Sequence, residues 1–125
     1  MQTIVFASQK GGSGKTTLAA HMAVQACAAG IGNVAMIDTD PQGSLHGWWK
    51  MRQDAMPALI QSDAENLAEN LEHLRSQGQD LVMIDTQPAV TEAISKVVKH
   101  ADLVVIPCRP SPHDLRAVGA TVDIV

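Results

Sequence analysis

Eight consecutive residues, Lys10-Gly11-Gly12-Ser13-Gly14-Lys15-Thr16-Thr17, bring together two ammonium groups, three glycines and a set of hydroxyls. Such a set suits an anion. Phosphate is large and charged, so its site needs many donors and little steric bulk. Gly11, Gly12 and Gly14 put no side chain in the way, which lets backbone N–H groups turn inward. The stretch follows an apolar run, Thr3-Ile4-Val5-Phe6-Ala7-Ser8, and precedes an alanine-rich helical pattern from Leu18 to Ala29. Strand, glycine loop and helix in that order form a phosphate-binding P-loop. The helix presents its positive end to the same anion. Lys15 supplies a point charge for the β- and γ-phosphates, Thr16 a hydroxyl for Mg²⁺, and Ser13 and Thr17 complete the cradle.

Further apolar runs end in acids. Asn33-Val34-Ala35-Met36-Ile37 leads into Asp38-Thr39-Asp40-Pro41-Gln42-Gly43-Ser44. A strand ending in two acids one residue apart sets carboxylates at the carboxyl edge of a parallel sheet, where open α/β folds bind ligands. Asp-Pro after a strand is also ordinary turn chemistry. Asp80-Leu81-Val82-Met83-Ile84 runs into Asp85-Thr86-Gln87-Pro88, and Asp102-Leu103-Val104-Val105-Ile106 passes into a proline-rich loop that reaches Asp114.

The pattern K-G-G-x-G-K-T-T resembles the deviant Walker A of the ParA/MinD family of ATPases. D-x-D-P-Q-G resembles the switch I segment of the ParA branch, and the run ending in Asp85 looks like a Walker B strand. The segment from Asp102 to Asp114 resembles that of small, ParF-like plasmid partition proteins. The resemblance covers essentially the whole chain. It implies a P-loop ATPase that binds ATP and Mg²⁺. Lys10 would reach across a homodimer to the partner's nucleotide, with the logic of an arginine finger, so that hydrolysis is tied to dimerisation. Lys15 would act in cis, and Asp40 would orient or deprotonate the attacking water. Asp38 would support the magnesium and phosphate shell. Thr16 and Asp85 would hold Mg²⁺, Asp85 through a water, since this small cation keeps much of its hydration. Gln87 departs from the D-x-P-P or D-x-A-P that family members often carry.

The intervening elements must place these groups. Helical patterns are expected from Ser44 to Ala55, from a cap at Asp63 to Arg75 (Leu67, Leu71 and Leu74 on one face), from Thr91 to His100, and from a cap near Ser111 or Asp114 to Val125. Pro57 to Ile60 reads as a short extra strand. Strands alternating with helices predict a mostly parallel sheet covered on both faces. The 125 residues suit one P-loop domain, 1–125, and 46 % hydrophobic content suffices for a core. With Phe6, Trp48 and Trp49 as the only aromatics, that core must be aliphatic.

The bulk numbers exclude several classes. No stretch is long and apolar enough to span a bilayer, and Met1 leads straight into the first strand with no signal segment. Cys27 and Cys108 make neither a disulfide framework nor a metal spacing, which fits a reducing cytoplasm, at the nucleoid if the chain partitions DNA. The five histidines are scattered, without zinc spacing. A net charge of −4 argues against a chain that is a DNA-binding surface throughout. Family members normally continue beyond the equivalent of Val125, and Leu103–Ile106 would lack an outer neighbour. A truncated chain, a fragment, or an edge covered in an oligomer is therefore expected.

Three functions are compatible with these residues. The first is a ParA-like ATPase for plasmid or chromosome partition, working as an ATP-dependent sandwich dimer with non-specific DNA and a ParB-like or centromere-binding partner. The second keeps the chemistry and positions another cargo: division proteins, chemoreceptor arrays or cellulose synthase. The third is a nucleotide-binding module that does not turn over.

Overall fold

A computed structural model describes residues 1–8, 14–54, 56–87 and 91–125, with Thr91, Asp114, Ala117 and Ala120 described in backbone alone. Lys10, Gly11, Gly12 and Ser13 lie outside the described residues, as does Pro88. Strands and helices alternate along the chain: β1 (Gln2–Phe6), α1 (Lys15–Ala28), β2 (Val34–Asp38), α2 (Ser44–Lys50), β3 (Ala58–Gln61), α3 (Leu67–Ser76), β4 (Leu81–Asp85), α4 (Thr91–Val98), β5 (Leu103–Val105) and α5 (Pro112–Ile124). All strand pairs are parallel, in the order β3-β2-β4-β1-β5.

Every residue of β2 and β4 is buried. A strand covered on both faces has no solvent side, so it reads as a continuous apolar run. The pleat splits its side chains between two cores. Ile4, Phe6, Val34, Met36, Leu81 and Met83 pack beneath α1 and α2. Val5, Ala35, Ile37, Val82 and Ile84 pack against α3 and α4. Ala19, Ala20, Ala23 and Ala26 bring α1 close to the sheet. The expected helix on both faces is thus present, with Leu67, Leu71 and Leu74 of α3 and Ile94 and Val97 of α4 buried as their spacing predicts.

The order of strands follows from right-handed crossovers. From β1 the chain moves outward through β2 to β3 with its helices on one face. It then reverses, inserting β4 between β2 and β1, and the helices α3 and α4 fall on the other. Neighbouring β1 and β4 are therefore followed by helices on opposite faces, which opens a crevice at their carboxyl ends.

Some boundaries differ from the sequence reading. α2 stops at Lys50 rather than running to Ala55. Side-chain bonds hold the following segment instead: Trp49 Nε1 donates to the Pro57 carbonyl at 2.8 Å, Arg52 Nη1 to the Met56 carbonyl at 3.1 Å, and Asp54 accepts from the Met56 N–H at 3.0 Å. Asp63 does not begin α3. It accepts from Asn66 N and Nδ2, both at 2.8 Å, and so closes a turn before the helix. β5 lies at the sheet edge with Leu103 54 % exposed. Among the described residues, no helix is long and apolar enough to cross a membrane.

Candidate nucleotide site

The parallel register lines up one row of residues at the carboxyl edge. Asp38 pairs with Asp85, Asp85 with Phe6, and Asp38 also with Gln61. Two threonines stitch this row together. Thr39 donates twice to the Asp85 carbonyl, from N at 3.0 Å and from Oγ1 at 2.7 Å. Thr86 Oγ1 donates to the Phe6 carbonyl at 2.7 Å. Both threonines are buried, so neither hydroxyl has water as an alternative partner.

Gly14 opens α1 at φ 83°, a left-handed conformation that glycine adopts without a Cβ penalty. Lys15 and Thr16 follow at once and turn towards β4. The Lys15 ammonium bonds Asp85 Oδ1 and the Thr86 carbonyl. Thr16 Oγ1 donates to Asp85 Oδ2 at 2.6 Å. The charged pair is enclosed, with the Lys15 side chain 6 % and that of Asp85 1 % exposed. Burial of this kind is tolerated because each charge meets its counterpart and further hydrogen bonds.

Asp38 is equally buried yet differently partnered. Its Oδ1 accepts from the Asp40 N–H at 3.0 Å and its Oδ2 from the His46 N–H at 3.2 Å. Burial pushes the Asp38 carboxyl above its ordinary value of 3.8, the charges of Asp85 and Asp40 add to the rise, and the two N–H bonds oppose it. Asp40 is half-buried and closes its own turn, with Oδ1 accepting from the Gln42 N–H at 2.9 Å and its carbonyl accepting from the Gly43 N–H at 2.9 Å.

Two hollows flank this row. One, of about 400 Å³, runs from Gly14, Lys15, Thr16 and Thr17 along α1 to Ala20 and His21, and is closed by Ser44 and Trp48 of α2. The other, of about 640 Å³, lies beyond Asp38 and Asp40 among Asp63, Glu69 and several side-chain amides, including Gln87. The first suits a phosphate at a helix N-terminus, and the second does not, because Asp38, Asp40, Asp63 and Glu69 line it with no cation among its described residues.

Thr16, Lys15, Thr17, Gly14, Asp38, Asp40 and Asp85 thus converge on one edge of the sheet. The donor set fits a hard divalent cation: the Thr16 hydroxyl and Asp85 carboxylate are oxygen ligands held 2.6 Å apart. Among the described residues, no three His, Cys, Asp or Glu side chains cluster to hold a metal by themselves. Sequence reasoning passed over Thr39, Thr86 and His46. The signal for the threonines was present, since each strand-terminal acid is followed by Thr.

Residues 4–106 match the CobQ/CobB/MinD/ParA nucleotide binding domain. Maintenance of carboxysome distribution protein A of Halothiobacillus neapolitanus is 34 % identical over 98 % of this chain and 57 % of its own length. The protein of the same name from Gloeobacter kilaueensis is 40 % identical over 90 % of this chain and 51 % of its own. Among solved structures, apo McdA from Cyanothece superposes with a TM-score of 0.76 at 25 % identity, over all of this chain and 65 % of that one. The chain spans about half the length of the curated relatives it matches.

Proposed function

This chain belongs to the CobQ/CobB/MinD/ParA nucleotide-binding family, and from that premise we propose that it is a ParA-like ATPase that positions an intracellular cargo. The observation that carries the reading is the convergence of Lys15 and Thr16 on Asp85, across 70 residues of sequence, beside a helix N-terminus at the β1–β4 crevice. The cargo reading takes precedence over plasmid or chromosome partition because two of its relatives carry names that speak of carboxysome distribution. Partition is the second reading, on the ParA named in the family description.

On this reading residues 1–125 form one P-loop domain. Lys15 exchanges partners: its ammonium leaves Asp85 for the β- and γ-phosphates of ATP. Asp85, freed of Lys15, and Thr16 would hold Mg²⁺, which would neutralise charge on the phosphates. Backbone N–H groups of 11–14 cradle the phosphates, with Ser13, Thr16 and Thr17 adding hydroxyls. Asp40 takes the proton of the attacking water or aims that water. Lys10 of a second subunit closes on the transferring phosphoryl group, which makes turnover conditional on the dimer. A second copy of the chain, a ParB-like or centromere-binding protein in the partition case, and non-specific DNA are the partners, and the cytoplasm is the compartment.

Phosphate release and nucleotide titration test this together. Asp40→Ala is expected to bind ATP and lose turnover; wild-type rates in that variant refute its role. Lys10→Gln is expected to bind ATP without dimerising or hydrolysing it. Binding with no phosphate release under any condition, DNA and partner protein included, leaves a nucleotide-binding module instead.

A further inference from the structure

The tetrapeptide Met-Ile-Asp-Thr occurs twice, at 36–39 and at 83–86. The parallel register sets the two copies side by side, Met36 against Met83, Ile37 against Ile84 and Asp38 against Asp85. Each acid meets the first turn of a helix that opens on a left-handed glycine: Gly14 before α1 at φ 83°, Gly43 before α2 at φ 68°. Neither helix has a side-chain hydrogen bond from its own N-cap residue. The partners of the two acids nevertheless differ. Asp85 meets Lys15 and Thr16, whereas Asp38 meets no cation among the described residues and bonds the Asp40 and His46 N–H groups.

We infer that Asp38 is a positioning residue, a two-armed clamp that holds Asp40 and the start of α2 as one unit, and not a direct ligand of the metal. His46 is the third residue of α2, so its N–H has no acceptor inside the helix, and Gly43 has no side chain with which to cap it. Asp38 supplies that cap from a neighbouring strand. Its other arm fixes the Asp40 N–H, and the Asp40 turn spans the gap between the two. Both arms are charge-assisted bonds to a carboxylate that is itself buried, and an acceptor of that kind is costly to leave unpaired. Moving α2 would also change the surroundings of Trp48 and Trp49, which it carries. The catalytic consequence rests on the ATPase reading proposed above; the structural consequence does not.

The test uses Asp38→Asn in the 125-residue chain. An amide can accept one N–H but opposes the other with its own NH₂. Both tryptophans lie on α2, so their emission reports that helix. In nucleotide-free protein the emission should shift to the red. The kcat for phosphate release should fall about tenfold or more, the worth of one charge-assisted bond. ATP affinity and the Mg²⁺ midpoint for ATP binding should stay within about twofold, since a positioning residue acts on kcat and not on ground-state binding. His46→Pro is the second variant, deleting one donor in a helical turn that tolerates proline and leaving the acid in place. It should give the same red shift and decide the matter if Asp38→Asn does not fold. An Mg²⁺ midpoint raised tenfold with unmoved emission makes Asp38 a metal-shell residue and overturns the clamp. Unmoved emission in both variants overturns it too. Should the wild-type chain release no phosphate, the ATPase reading fails while the emission arm still judges the clamp.

Discussion

Removing the Lys15 ammonium should destabilise this chain before any nucleotide is present. Lys15 and Asp85 are 6 % and 1 % exposed and bonded to one another. Lys15→Met deletes one half of a buried ion pair, which costs about 3–5 kcal/mol because the surviving charge is left unmatched out of water. Two features place this site at the lower end. Thr16 Oγ1 still donates to Asp85 Oδ2 at 2.6 Å, and a methionine refills most of the space vacated. Against them, the Thr86 carbonyl also loses its bond from Nζ. The expected loss is about 3 kcal/mol. Urea unfolding without nucleotide, followed through Trp48 and Trp49, should show the midpoint falling by about 1.5 M at a slope of about 2 kcal/mol/M. The double variant Lys15→Met with Asp85→Asn should recover most of the loss, because exchanging both partners leaves no stranded charge. A single variant that loses under about 1 kcal/mol, or a double variant less stable than the single, refutes this account of the pair. The corollary bears on function: ATP binding lost in a Lys15 variant must be compared at matched folded fraction before it is ascribed to a phosphate contact.

Gly32→Ala should cost about 1–3 kcal/mol by urea unfolding with ATP affinity unchanged, since Gly32 sits at φ 131° and a Cβ there would lie 2.9 Å from the Asp80 Cγ. Asp80 cannot simply swing away, for its Oδ2 accepts from the Asn33 N–H at 2.9 Å. Trp49→Phe should lose about 1 kcal/mol, the value of the Nε1 bond to the Pro57 carbonyl; an unchanged urea midpoint refutes a role for that bond. Asp38 gives a pH signature. Its carboxyl binds a proton more tightly folded than unfolded, so the native state holds more protons above its ordinary value of 3.8 and stability falls as pH rises through that window. The stability of wild type relative to Asp38→Asn should therefore decline as pH is raised from about 4 towards neutrality, and a rising difference refutes the sign.

The Lys15 and Thr16 part of the edge was legible in the sequence because the two residues open α1 side by side. Their meeting with Asp85, 70 residues on, was not, since it depends on β4 lying beside β1, and the glycine loop at 10–13 lies outside the described residues. The strands were legible for a related reason: burial on both faces writes itself as an unbroken apolar run in Val34–Asp38 and Leu81–Asp85. Helix ends were less so. The stops of α2 and the start of α3 depend on side-chain bonds from Trp49, Arg52, Asp54 and Asp63 that compete with helical hydrogen bonding, and no period in the sequence reports them.

What only the tertiary structure decided is plainest in the repeated Met-Ile-Asp-Thr. The two copies are chemically identical and predict the same element, a buried strand ending in an acid and a threonine. Strand order separates them. β4 lies against β1, so Asp85 stands under the start of α1 and receives Lys15 and Thr16. β2 lies one strand further out, so Asp38 stands under α2 and, among the described residues, receives the backbone N–H groups of Asp40 and His46. A carboxylate's role is set by the donors within about 3 Å of it, and here those donors come from whichever helix the handedness of the crossovers lays across that strand.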